Sequence, residues 1–359
     1  MGEEKLEDKF MKTLRIVAPG TGLRDGLDNI LRAQTGALIV LGGDNDQVIQ
    51  VVDGGFDIDA DFTPARLYEL AKMDGAIILS SDGKKILRAN TQLVPDPSVP
   101  STETGTRHRT AERVARQTGE LVISISQRRS IITLYKGPMK YVLKDIRVVL
   151  DRASQAIQTL EKYRTVLNQA LNSLSALEFE DLVTILDVTA ALQRIEMVIR
   201  ISGEIERYIS ELGVEGRLVS MQLEELLVGV KQEGKLIIKD YVVNWDEDWL
   251  DGLGWQIFSN TTVDEFLDLG IIAKSLGFAG GVGLDNSISP RGYRILSKIP
   301  RLPATVTDNL VETFKTLQNI MSASIVELDD VEGIGEVRAR AIKEGLRRLR
   351  ELTLLDRHI

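Results

Sequence analysis

Two textures of apolar patterning divide the chain. Up to about residue 140, short apolar runs alternate with turn residues. Gly36–Leu41 (GALIVL) and Val48–Val52 (VIQVV) read as strands, with Gly42-Gly43-Asp44-Asn45 as a turn between them. Thr63-Pro64 marks a helix start, with Thr63 as N-cap and Pro64 at the first helical position. Ala76–Ser80 and Lys85–Ala89 flank Ser81-Asp82-Gly83-Lys84, a hairpin signal. A helix over Arg107–Thr118 and a strand pair, Leu121–Ser126 with Ile131–Tyr135, complete a mixed α/β pattern. Gly20-Thr21-Gly22 precedes no clean βαβ unit and reads as the start of a helix over about Leu23–Gln34.

From about 141 to 230 the period changes. Ile146, Val149, Ala153, Ile157, Leu160, Arg164, Leu167, Leu171 and Leu174 recur at three- and four-residue steps, one helical stripe interrupted at Arg164. Leu182–Ile201 and Ile205–Val230 continue the helical pattern, which predicts a bundle or spine. Residues 231–290 carry an acidic aromatic patch (Trp245, Asp246, Glu247, Asp248, Trp249). They also hold a glycine-rich piece (Gly277, Gly280, Gly281, Gly283) that fits no nucleotide-loop template and reads as a linker or turn. Ser289-Pro290-Arg291-Gly292 marks a boundary. The expected fold is therefore multidomain: an α/β N-terminal domain with a mixed sheet (1–140), an all-α central spine (141–288) and an all-α C-terminal domain of paired helix-hairpin-helix units (289–359).

The last unit has the most legible local motif. Leu328, Val331, Ile334 and Ile342 are apolar, Gly333 and Gly335 bracket Ile334, and Ala339 is small, which matches the helix-hairpin-helix pattern. A Gly-hydrophobic-Gly turn lets the backbone approach a phosphate, and the first turn of the next helix has free N–H groups. Composition sharpens this reading. The net charge is −9, yet Glu336–Arg350 holds six basic residues (Arg338, Arg340, Lys343, Arg347, Arg348, Arg350) against two acids. Gly333, Ile334, Gly335, Arg338, Arg340 and Lys343 are the candidate DNA contacts, reading phosphate and shape. Upstream, Leu296, Ile299, Leu302 and Leu310 repeat the spacing. Arg301 and Pro303 stand at the glycine positions, so this hairpin completes the pair and binds phosphate less well.

The chain has no cysteine and only His108 and His358, which excludes thiol nucleophiles, zinc fingers, Fe–S clusters and histidine-rich metal centres. The charged start MGEEKLEDKFMK lacks a signal-peptide core, and no apolar run suits a membrane span. A cytoplasmic, nucleoid-associated protein without membrane contact is expected. Two further motifs lie in the α/β part: Asp74-Gly75-Ala76 at a strand entrance, and Gly105-Thr106-Arg107-His108-Arg109-Thr110-Ala111 at a helix start. The second gathers a glycine, two hydroxyls, two guanidiniums and an imidazole at a helix N-terminus, as a polyphosphate site needs.

The pairing of DGA with RHRTA, separated by residues 77–106, resembles the diadenylate cyclase family. The order of domains is similar to the branch in which a cyclase domain, a helical spine and a helix-hairpin-helix pair follow one another. GALIVL, SPRGYR and IPRLP also resemble that branch. The resemblance implies condensation of two ATP into cyclic di-AMP and two pyrophosphates, by a nucleotidyltransferase using Mg²⁺ or Mn²⁺. Asp74 is then the metal ligand and helps deprotonate the attacking hydroxyl. Arg107, His108, Arg109, Thr106 and Thr110 bind the triphosphate, and Gly75 and Ala76 allow close approach. Ser126, Arg128, Arg129 and Leu93 add further contacts. Membrane-bound members carry Ser-Glu-Glu after the corresponding strand. Here the segment is Ser124-Ile125-Ser126-Gln127-Arg128-Arg129, so no acid supplies a second metal carboxylate. Two ATP must face each other, so the resemblance implies a homo-oligomer, by family precedent an octamer. It also implies coupling to branched or damaged DNA, such as Holliday junctions, in a checkpoint role. An inactive, oligomeric DNA-binding scaffold is the competing reading. A repair nuclease is disfavoured by the lack of a clustered acidic motif.

Overall fold

The structure is a computed structural model and describes residues 11–243, 266–278 and 283–356. The Trp245–Trp249 patch, Gly280, Gly281 and His358 lie outside these residues. The chain divides into two compact units, residues 1–154 with 206–220, and residues 155–205 with 221–359.

The first unit is built on a mixed sheet in the order β2-β5-β4-β1-β6-β7-β8, with β3 paired to β5. The strands are β1 (Ala37–Leu41), β2 (Val52–Asp53), β3 (Phe56–Asp61), β4 (Ala76–Leu79), β5 (Lys85–Leu93), β6 (Leu121–Ser126), β7 (Ile131–Lys136) and β8 (Met139–Val142). Strands β1 and β4 run parallel, and the other pairs are antiparallel. Alternate residues serve opposite faces. Ala37, Ile39 and Leu41 join Leu121, Ile123 and Ile125 beneath helices α1 (Gly22–Arg32) and α3 (Pro64–Leu70). Leu38, Val40 and Val122 meet Ala111, Val114 and Ala115 of α4 (Thr106–Thr118) on the other face. The sheet is therefore a buried middle layer.

Most short elements fall where the pattern puts them. Thr21 and Thr63 cap α1 and α3 by accepting from Arg24 N and Arg66 N. The Ser81–Lys84 turn joins antiparallel β4 and β5. Val48–Val52 is a correction. Asp46–Ile49 forms the short helix α2, capped by Asn45, and pairing begins only at Val52. Strand β3 was absent from the pattern because its burial alternates weakly on a sheet edge, with Asp57 and Asp59 paired to Arg88 and Lys85.

Helix α5 (Ile146–Glu180) realises the long stripe, with Val149, Ala153, Leu160 and Leu167 buried. At its interruption Arg164 donates to the Val228 carbonyl, 3.0 Å away. Helix α6 (Ile185–Leu212) runs through Gly203 without a break. The chain turns instead at Gly213–Gly216, before α7 (Arg217–Leu227) and α8 (Val230–Tyr241). Helix α9 (Leu269–Ser275) follows. The last residues form α10 (Tyr293–Leu296), α11 (Ala304–Phe314), α12 (Leu317–Ser322), α13 (Ile325–Asp329) and α14 (Glu336–Asp356) over one core that includes Phe179.

Ser289–Arg294 is a clamp within the second unit. Asp240, at the end of α8, accepts from the N–H groups of Gly292, Tyr293 and Arg294 at 2.7–2.9 Å, capping α10. Arg291 donates back to the carbonyls of Lys239, Asp240 and Val242, which α8 leaves open. Arg294 is 0% exposed and pairs with the equally buried Glu178 and with Ser175 of α5.

Candidate active site

Strand register brings the two N-terminal motifs to one end of the sheet. Ile39 pairs with Ile77 and Ala37 with Ile125, so Gly75, the start of β1 and the end of β6 lie level. Ala76 pairs with Thr91, which sets Leu93 at the same end. Arg107 of α4 donates to the Ile125 carbonyl at 3.3 Å and ties the helix start to that end. A methyl on Gly36 would overlap the Arg107 guanidinium, so this glycine makes room for the arginine.

Asp74 is exposed just before β4, and its carbonyl accepts from Asn90 Nδ2 at 3.0 Å. Gly75 adopts φ +90°, and a Cβ there would stand 2.8 Å from the Asn90 carbonyl carbon and 2.9 Å from the Thr91 oxygen. Only glycine fits this approach. Asn90 itself has φ +50°, at the irregularity where β5 crosses Gly75. Ala76 is buried, and Thr91 Oγ1 donates to its carbonyl at 2.9 Å.

Gly105 is the N-cap of α4 and supplies no side-chain cap. The first-turn N–H groups therefore keep their capacity for an anion, which the helix dipole also favours. Thr106, Arg107 and Arg109 are exposed there, and His108 and Thr110 are half-buried. Arg109 folds back on the carbonyls of Glu103 and Thr104. Glu112, 4% exposed, holds the preceding loop by accepting from Ser101 Oγ at 2.6 Å and Thr102 N at 3.0 Å. Ser126 closes the turn after β6 by accepting from Arg129 N, and Arg128 and Arg129 are exposed beside it. The Leu93 side chain is 8% exposed and packs in the core with Ala76 and Val114, so it presents no free apolar surface.

His108 carries a network that the motif did not announce. Its Nδ1 lies 3.1 Å from the Tyr135 hydroxyl. Tyr135 donates to Glu103 Oε1 at 2.8 Å, and Lys140 Nζ is 2.5 Å from the same oxygen. Burial lowers the imidazole pKa. Glu103 opposes this, while Lys140, Arg129 and Arg107 add to it. Tyr135 and Lys140 are partners across the β7–β8 hairpin, but Glu103 and His108 reach them from the α4 side of the fold, and the spacing along the chain carried no signal of that meeting.

Among the described residues no three His, Asp or Glu side chains gather into a metal cage. A single exposed carboxylate still suits Mg²⁺ or Mn²⁺ that arrives on nucleotide phosphates, because such ions are held by one or two carboxylates plus the phosphates. Asp74 has that character.

The C-terminal candidate residues surround the turn between α13 and α14. Gly333 has φ +82°, and Ile334 is buried. Gly335 meets no neighbour, and Ala339 is 0% exposed. Asn309 of α11 donates to the Glu332 carbonyl and steadies the turn. Arg338 bonds the Gly333 carbonyl, Arg340 pairs with Glu336, and Lys343 donates to the Met321 carbonyl at 2.8 Å. Each arginine keeps further N–H donors. Upstream, Arg301 has φ +62° at the position matching Gly333, so the two turns share one backbone hand. Gly345 carries no local signal in the sequence. A Cβ there would press Ile299 at 3.1 Å, so it permits α14 to pack on the upstream hairpin.

Two family models match stretches of the chain. Residues 24–139 match the family described as DisA bacterial checkpoint controller nucleotide-binding, and 143–284 match the DisA bacterial checkpoint controller linker region. The chain is 62% identical over 348 residues to a DNA integrity scanning protein DisA of Carboxydothermus hydrogenoformans, covering 97% of this chain and 98% of that protein. It is 61% identical over 356 residues to the protein of the same name from Symbiobacterium thermophilum, covering 99% and 100%. It is 59% identical over 350 residues to that of Clostridium kluyveri, covering 98% of each. Among the described residues no helix is long and apolar enough to cross a membrane.

Proposed function

The chain belongs to the DisA family and is a diadenylate cyclase, a nucleotidyltransferase, and from this premise we propose how its residues serve the reaction and what regulates it. The 3′-hydroxyl of one ATP loses its proton and attacks the α-phosphorus of another, breaking the α–β anhydride bond and expelling pyrophosphate, and the reciprocal attack closes the ring and releases the second pyrophosphate. Such transfers depend on in-line positioning and charge neutralisation, with no covalent protein intermediate. Arg107, Arg109 and the first-turn N–H groups of α4 bind the triphosphate, and Arg128 and Arg129 add charge from the neighbouring turn. Asp74 holds Mg²⁺ or Mn²⁺ with the phosphates, and the ion supplies charge neutralisation when bound. Gly75 brings strand backbone close to the nucleotide. Two such sites must face each other, so the active form is a homo-oligomer, which we take to be an octamer.

The carrying observation is the convergence of Asp74-Gly75 and the uncapped α4 N-terminus on one end of the sheet. The test is incubation of the purified protein with labelled ATP and either metal. Cyclic di-AMP is expected, and Asp74→Asn abolishes it while DNA binding persists. An Asp74→Asn variant with wild-type turnover refutes the metal assignment.

We further propose the division 1–140, 141–288 and 289–359, with the last part a tandem helix-hairpin-helix domain that binds branched DNA. The shared hand at Gly333 and Arg301, the close Gly345–Ile299 packing and the basic α14 support this reading. DNA occupancy then modulates the cyclase in a checkpoint role.

A further inference from the structure

The two ring nitrogens of His108 face different chemistry. Burial pushes the Glu103 carboxyl up, but the hydrogen bonds from Lys140 and Tyr135 outweigh it and leave the group below its ordinary value. Glu103 is thus a carboxylate, which accepts only. Burial, with Glu103 beside it, raises the Tyr135 pKa, so the phenol keeps its hydrogen. That single hydrogen is committed to Glu103. Tyr135 oxygen must therefore accept from His108, and Nδ1 is the protonated nitrogen. In the neutral ring Nε2 is then a lone pair, and it is buried with no hydrogen-bond partner.

The charged groups around the ring are Arg107 of α4, Arg129 of the β6–β7 turn and Lys140 of β8, against Glu103 of the preceding loop. Three cations and burial keep the free imidazole neutral. A triphosphate reverses this balance. It offers only acceptors, which a lone pair at Nε2 repels, and its charge offsets Arg107 and Arg129. The Glu103–Tyr135 chain meanwhile remains behind Nδ1 to stabilise a cation.

Resting on the reading of this helix start as the ATP-phosphate site, we propose that His108 takes up a solvent proton at Nε2 when a nucleoside triphosphate binds. The resulting cation balances the phosphate charge, and Glu103, Tyr135 and Lys140 act as positioning residues that commit Nδ1–H to the Tyr135 oxygen. Calorimetric titration of the full-length protein with α,β-methylene ATP and Mg²⁺ at pH 7.5 tests this. Two buffers of different ionisation enthalpy give the number of protons absorbed per nucleotide. An uptake approaching about one proton is expected, falling severalfold in Glu103→Gln and Tyr135→Phe and unchanged in His358→Asn. Wild-type affinity should tighten as pH falls from about 8 to 7, by at most about tenfold. Tight binding with no proton uptake overturns the inference and leaves the site reading intact. Equal uptake in His108→Asn overturns it as well. Absence of nucleotide binding overturns the site reading on which it rests.

Discussion

At Gly75 two constraints coincide. The backbone stands at φ +90°, and the space a side chain would need is filled by the main chain of β5. A displaced side chain can relax around a methyl, but a paired strand cannot. Gly75→Ala is therefore expected to cost about 1–3 kcal/mol of stability and to lower the cyclase rate by about a hundredfold, because an error of roughly 1 Å in positioning is enough. Thermal unfolding and turnover together check this. Gly105→Ala, at an N-cap with φ −83° and only a 3.9 Å neighbour, should leave the site geometry far less disturbed. Full activity in Gly75→Ala would show that β5 yields.

The motif residues were legible in the sequence because each carries its chemistry locally: a glycine before a strand, guanidiniums on a helix start, a glycine-bracketed turn. Their supports were not. Gly36 serves Arg107 and Tyr135 serves His108 across the fold, and spacing along the chain cannot report a partner that distant. The same limit explains the elements. Val48–Val52 is as apolar as a strand, but Asn45 offers a cap three residues before Val48 and the local helix wins. Gly203 does not break α6, because burial of Leu192, Ile195, Val198 and Ile205 along one stripe outweighs the cost of about 1 kcal/mol for one helical glycine.

The junction of α8 with α10 carries its own prediction. Burial, with Glu178 nearby, pushes the Asp240 carboxyl up to about 7, against three backbone N–H bonds. In the unfolded chain it titrates at its ordinary value of 3.8. Between these values the folded state holds a proton that the unfolded state lacks, so this group's contribution to stability falls as pH rises from about 4 to about 7. Asp240→Asn removes the titration, and its amide opposes the Arg294 N–H. The wild type should exceed the variant in denaturation midpoint by the most near pH 4, with the margin shrinking toward pH 7. A margin that widens with pH refutes the assignment.

For the whole molecule, the net charge of −9 averages an acidic body with a basic final helix. An acidic protein that binds DNA through one small surface should show strong salt dependence confined to that surface. On the proposed DNA surface, replacing Arg338 and Arg340 with Glu removes about two phosphate contacts, and the slope of log affinity against log salt should flatten by about 2. Coupling adds a second readout. DNA can alter the cyclase only through differential affinity for two states of the protein. The buried Arg294–Glu178 pair ties the α10 segment to α5. Saturating four-way junction DNA is expected to lower the rate of cyclic di-AMP formation, and the arginine double variant should need a much higher DNA concentration for the same fall. A cyclase rate unchanged by saturating junction DNA removes the checkpoint coupling. An effect that survives the double variant at low DNA concentration moves the DNA surface away from Gly333–Lys343.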